Sequence, residues 1–170
     1  LRDYLFSTMY DFNGRPTAVY MEAMCEEIEK RGGKADPAEM LEAFLVSLDV
    51  IAQARIEKIR GGARAPEDYI VFGGLAFIEL MMARGLKAII LSGNPHGQVN
   101  EEAELLNLAG FCNGHIYGHV NPNNFAKQTV MEKLMAEENF AGENLIAIGD
   151  GAAEIKAAKN LGGLAVAICS

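Results

Sequence analysis

The chain has 170 residues, half of them apolar and 22% charged, the make-up of an ordinary globular protein with room for one core and a small appended cap. Its 23 acidic residues outnumber 15 basic ones, for a formal net charge of −8, and no basic block is present, so nucleic acid is not an expected partner. Apolar runs stay near five to seven residues, far short of the roughly 20 that cross a membrane. No secretion signal opens the chain, and Cys25, Cys112 and Cys169 are odd in number and far apart; the expectation is a cytoplasmic protein with buried thiols, no disulfides and no membrane partner.

Taken in chain order, the first half predicts helices. "RPTAVYMEAMCEEIEKRGG" places Pro16 for a first turn, sets Val19, Met24, Cys25 and Ile28 at helical spacing, and closes on Gly32 and Gly33. "DPAE" opens a second helix, with Asp36 at the cap, Pro37 at the first position and Glu39 at the third. Its stripe runs through Met40, Phe44, Leu48, Ile51, Ile56 and Ile59 to Gly61 and Gly62. Such a helix is about 36 Å long at 1.5 Å per residue. No strand is visible before residue 66, and residues 1–66 form an expected helical domain.

Residues 67–170 alternate. Helices are predicted over 75–84, 95–106, 126–138 and 152–161. Strands are predicted at "KAIIL" (87–91, fully buried), "HIYGHV" (115–120, shorter and more exposed), "LIAI" (145–148) and "LAVAI" (164–168). This alternation predicts an α/β fold, a Rossmann-like parallel sheet with helices on both faces. Ligands of such sheets bind beyond the carboxyl ends of the strands, where Ser92 and Asp150 fall.

Three features there can carry chemistry. "LSGN" offers the Ser92 hydroxyl and the Gly93 and Asn94 backbone N–H groups, Gly93 letting a ligand approach the chain. Lys127, in "NFAKQTV", stands at a predicted helix start. Asp150 and Glu154 follow the last apolar residues of a strand in "LIAIGDGAAEI". Converging, they would hold a phosphate on donors and a lysine, and a hard divalent cation on carboxylates; magnesium needs only one or two carboxylates, because it keeps several waters. Each feature also has a plain structural role open to it. Ser92 fits a turn or cap, Lys127 a surface position, and the two acids fit the positive end of the following helix. A dinucleotide loop at "GDGAAE" fails on charge, since Asp150 would face a pyrophosphate. His115 and His119, four apart in a strand, would lie roughly 13 Å apart, too far to share a metal.

The order Ser92, Lys127, Asp150, Glu154 resembles the haloacid dehalogenase-like hydrolase superfamily, most of whose members are phosphatases. "KAIILSGN" is similar to its second motif, Lys127 to its third, "IAIGDGAAEI" to its fourth, and "EEAELLNLAGFCNGHIYG" to the stretch that follows the second motif. The resemblance implies a core over 67–170 with a helical cap before it, and Mg²⁺-dependent hydrolysis of a small phosphorylated metabolite, such as a sugar phosphate, through an aspartyl-phosphate. It implies Ser92, Lys127 and Asp150 as catalytic groups; Ser92, Gly93, Asn94 and Lys127 on phosphate; and Asp150 and Glu154 on the metal. The first motif of the family, Asp-x-Asp on the central strand, has no counterpart here; the nearest segment, "YDFNGRPT", offers Asp11, Asn13 and Gly14. The expectation is therefore a chain that starts past the nucleophile and stops short of the family's end, with little turnover as given. Its sheet would lack a central strand between those at 87–91 and 145–148; either these two pair with each other, or the slot is filled by another segment, by a second copy in a homo-oligomer, or by a partner. The alternative is a non-catalytic relative that binds a ligand or assembles.

Overall fold

A computed structural model describes residue 7 and residues 16–121 and 124–168. Asp11, Asn13, Gly14 and Cys169 lie outside the described residues. In chain order these hold α1 (Thr17–Lys30), α2 (Pro37–Arg60), a 3-10 turn (Pro66–Tyr69), α3 (Gly74–Ala83), β1 (Ile90–Pro95), α4 (His96–Leu105), α5 (Ala109–Cys112) and β2 (Ile116–His119). They continue with α6 (Lys127–Glu137), a second 3-10 turn (Gly142–Asn144), β3 (Ile146–Gly149), α7 (Ala152–Asn160) and β4 (Leu164–Ala167). The fold is mixed α/β, as the alternation predicts. No described helix is long and apolar enough to cross a membrane.

Packing divides the chain into two compact units, one of Leu1–Pro37 with His119–Ser170 and one of Ala38–Gly118. In the second unit, β1 pairs with β2, and the Ile90 N–H donates to the His115 carbonyl at 3.0 Å. The core is Val99 and Ala103 from α4, Cys112 from α5 and Ile116 from β2, with Ala88, Ile90 and Ala109 packed against it. Full burial of a side chain such as Val99 or Ile116 is worth about 2 kcal/mol, so these two contribute much of what fixes α4 to the strand pair.

Two expectations reverse in this unit. The strand predicted over 87–91 runs instead from Ile90 to Pro95, so Ser92 lies within it rather than after it, and its first four residues are only half-buried. The strand expected to be exposed supplies the buried residue, Ile116. The reason is the sheet: a strand in a two-stranded pair has a neighbour on one side only, and an apolar run alone does not say which strands will be covered. Helix α2 forms over the predicted span, yet none of its residues is buried, and Phe44, Leu48 and Ile51 of the predicted stripe are exposed.

In the first unit, β3 and β4 are parallel, with Ile146 opposite Leu164 and Gly149 opposite Ala167. Helix α7 packs on both strands and against α6. It buries Ala157 and Ala158, while α6 buries Met131 and Leu134, β3 buries Ala147, and α1 buries Met21 and Cys25. Among the described residues, β1 and β3, the strands predicted to flank the missing one, each belong to a two-stranded sheet, β1 with β2 and β3 with β4. Burial pushes the Cys25 thiol above its ordinary value, with Asp36 and Glu29 adding to the rise. Burial also raises Cys112, against a smaller opposing contribution from the Ile90 backbone.

Helix ends follow one pattern. The residue after α3 and its cap is Gly85, at φ 76°, and the Leu86 N–H donates back to the Met81 carbonyl. Asn107 and Asn139, at φ 58° and 52°, do the same for α4 and α6. The glycine ends are legible in the sequence; the two asparagine ends are the subtler form of the same signal.

Candidate active site

The acid pair and the lysine come together in the first unit. Strand β3 ends at Gly149, Asp150 follows it, and α7 begins two residues later. Asp150 is exposed and Glu154 is buried. Lys127 is the first residue of α6, and because α6 packs against α7, its side chain reaches Glu154. The Lys127 Nζ donates to Glu154 Oε2 at 2.8 Å, with only 9% of the lysine and 11% of the glutamate side chain exposed. The Gly151 N–H donates to the other oxygen, Oε1, at 2.8 Å. Both Glu154 oxygens are thus held, one by a cation and one by an orphan backbone donor at the helix start.

This geometry explains the "GDG" spelling. The Glu154 carboxylate lies directly over Gly149 and Gly151. A Cβ at Gly149 would overlap Oε1, and one at Gly151 would come within 2.7 Å of Oε2. The two glycines flanking Asp150 make room for Glu154, which the sequence reading did not foresee. A further tie, Asn160 Nδ2 to Gln128 Oε1 at 3.1 Å, joins α7 to α6 at a second point. It leaves no signature in spacing, because its partners are 32 residues apart.

Ser92, Gly93 and Asn94 belong to the other unit. There the Asn94 N–H donates to Ser92 Oγ at 3.2 Å, so the serine closes a local turn. Among the described residues no group of three or more His, Cys, Asp or Glu side chains could hold a metal by itself. His115 Nδ1 is 3.2 Å from the Tyr117 hydroxyl, and His119 lies edge-on to Phe125 with its Nδ1 buried and without a partner.

A lysine and a glutamate, nearly shut off from water, thus stand with an exposed aspartate beside them at the carboxyl end of a parallel strand in an α/β protein, the end where such sheets bind ligands. A family model described as hydrolase, haloacid dehalogenase-like hydrolase, matches residues 19–162. The chain belongs to the haloacid dehalogenase-like hydrolases. No curated protein and no solved structure matches it.

Proposed function

We propose that the protein is a Mg²⁺-dependent phosphomonoester hydrolase acting on a small phosphorylated metabolite, of which a sugar phosphate is the favoured class. The observation that carries this reading is the buried Lys127–Glu154 pair next to exposed Asp150 at the end of β3. An ammonium has three N–H donors, and Glu154 takes one, so Lys127 is held in place with donors left for phosphoryl oxygens. Held where water is scarce, its charge acts more strongly than it would on the surface. Displacement at phosphorus asks mainly for positioning and charge stabilisation, which such a lysine supplies.

Ser92, Gly93 and Asn94 enter this reading by their motif. The Ser92 hydroxyl shapes the turn by accepting the Asn94 N–H, and the reading gives this turn the phosphoryl oxygens. The attacking carboxylate is assigned to none of the described residues, and the intermediate is an aspartyl-phosphate. Helices α1 and α2 are assigned to a cap that selects the substrate.

The donors present fit a hard divalent cation at Asp150. Its carboxylate is exposed, and one or two such ligands suffice for an ion that keeps its waters. Glu154, with both oxygens engaged by Lys127 and the Gly151 N–H, orients Lys127 rather than adding a ready ligand. When bound, Mg²⁺ would neutralise charge on the phosphoryl group.

The test is phosphate release from a panel of phosphomonoesters with and without Mg²⁺, using this chain and a longer polypeptide carrying upstream residues. The longer form is expected to turn over, and Asp150→Asn to lower its rate at least 100-fold, roughly the scale of losing one electrostatic group. Full activity in Asp150→Asn would refute the assignment. A second reading, a non-catalytic relative, draws on the absence of Asp-x-Asp from the sequence. Mg²⁺-dependent binding of phosphate esters by the longer form without turnover would favour it.

A further inference from the structure

We infer that Gly118 is a positioning residue for the Ser92–His96 turn, a backbone seat that sets where the turn's N–H groups point. The inference rests on the reading of this turn as the phosphate-binding element. In β2, Gly118 lies against the far end of β1 and the first residue of α4. A Cβ on it would stand 2.5 Å from the Asn94 carbonyl oxygen, 2.8 Å from His96 Cα and 2.9 Å from His96 N. All three are backbone atoms, so no side chain can swing aside to make room. The strain of a substitution there is purely one of space, because Gly118 is not among the residues with a positive φ.

Two further contacts bind the same segment. The Gly118 N–H donates to His96 Nδ1 at 3.4 Å, a long bond that ties the start of α4 to β2. Asn100, one turn along α4, donates to the His96 carbonyl at 2.8 Å. The Asn94 N–H is in turn held by Ser92 Oγ at 3.2 Å. The turn is therefore fixed from within by Ser92, from the helix by Asn100, and from the neighbouring strand by the missing side chain of Gly118. A displacement of well under 1 Å is enough to misalign donors that must sit at hydrogen-bond distance from a ligand. Any residue other than glycine at 118 moves Asn94 and His96 together.

The experiment compares wild type, Gly118→Ala and, as a control, Gly110→Ala, whose Cβ would meet nothing within 4 Å. Two readouts are taken on the polypeptide that carries the activity. The first, independent of turnover, is amide exchange and chemical shift at Ser92, Gly93, Asn94 and His96, Pro95 having no N–H. Gly118→Ala is expected to speed exchange of the Asn94 amide about tenfold and to shift these amides, while Gly110→Ala leaves them unchanged. The second is kinetic: Gly118→Ala is expected to raise KM and weaken competitive inhibition by inorganic phosphate more than it lowers kcat. Unchanged amides at 92–96 in Gly118→Ala would overturn the inference. Altered amides with unchanged phosphate inhibition would leave the seat in place but sink its role in phosphate binding. A wild type with no phosphatase activity refutes the proposed function, and the amide readout still decides the seat. His96→Asn, which keeps an acceptor near the position of Nδ1, is expected to preserve the Asn94 exchange rate better than His96→Ala.

Discussion

Glu154 serves two partners at once. It caps the start of α7 through the Gly151 N–H and neutralises Lys127 inside the protein. Removing one member of a buried ion pair strands the other, which costs about 3–5 kcal/mol. Lys127→Met and Glu154→Gln are therefore each expected to destabilise the chain by roughly that amount: the first leaves the carboxylate without its cation, and the second sets an amide NH2 against the ammonium once the amide oxygen accepts the Gly151 N–H. The double variant is expected to lose less than the sum, a coupling readable by urea unfolding of all four proteins. His119 offers a pH test. Burial lowers its pKa from 6.5, so the folded protein favours the neutral ring. The unfolded chain then binds the proton at higher pH than the folded one. The stability this gives is complete above 6.5 and is lost as pH falls through that value and on to the lowered one. Thermal midpoints measured from pH 7.5 to 5.5 are expected to fall less steeply in His119→Gln than in the wild type. At this scale the sequence showed which side chains carry charge and that Asp150 follows a strand. That Glu154 would rest over two glycines, or that Ser92 would spend its hydroxyl on its own turn, depends on side-chain directions that spacing does not encode.

Helices were the most legible elements, because period and stop signals agree. Pro16 and Pro37 sit at helix starts, and glycines end α1, α2, α3 and α7 at positions a reader can mark in advance. Strands were less legible. "KAIIL" is apolar enough to predict full burial, but register places the strand at Ile90–Pro95 and the two-stranded pairing leaves it half covered. The short 3-10 turn at Gly142–Asn144 gave no signal at all. It is nonetheless tightly specified: a Cβ on Gly142 would overlap the Leu161 carbonyl oxygen at the end of α7. Gly142→Ala is expected to cost about 2 kcal/mol, typical of overpacking against backbone. Gly97→Ala, where a Cβ meets nothing within 4 Å inside α4, is expected to be neutral or slightly stabilising. Denaturant midpoints of the two variants check the contrast, and a Gly142→Ala protein as stable as wild type would show that the turn can shift.

The whole molecule divides its motif residues between its two units, Ser92 in one and Lys127, Asp150 and Glu154 in the other. Lys127 and Asp150 were readable because one opens a helix and the other follows a strand, positions that composition and period reveal, whereas Ser92 lies inside β1 rather than past its end. The nucleophile was not, since no Asp-x-Asp occurs in the sequence. The proposal at the centre of this reading is that the Lys127 ammonium and the Asp150 carboxylate, side by side at the end of β3, serve a single phosphate. Calorimetric titration with inorganic phosphate in the presence of Mg²⁺ tests this most directly, on the active polypeptide and on its Lys127→Met and Asp150→Asn variants. Each substitution is expected to weaken phosphate binding at least tenfold, and the Asp150→Asn protein is expected no longer to respond to Mg²⁺. Phosphate bound with unchanged affinity by both variants would contradict it.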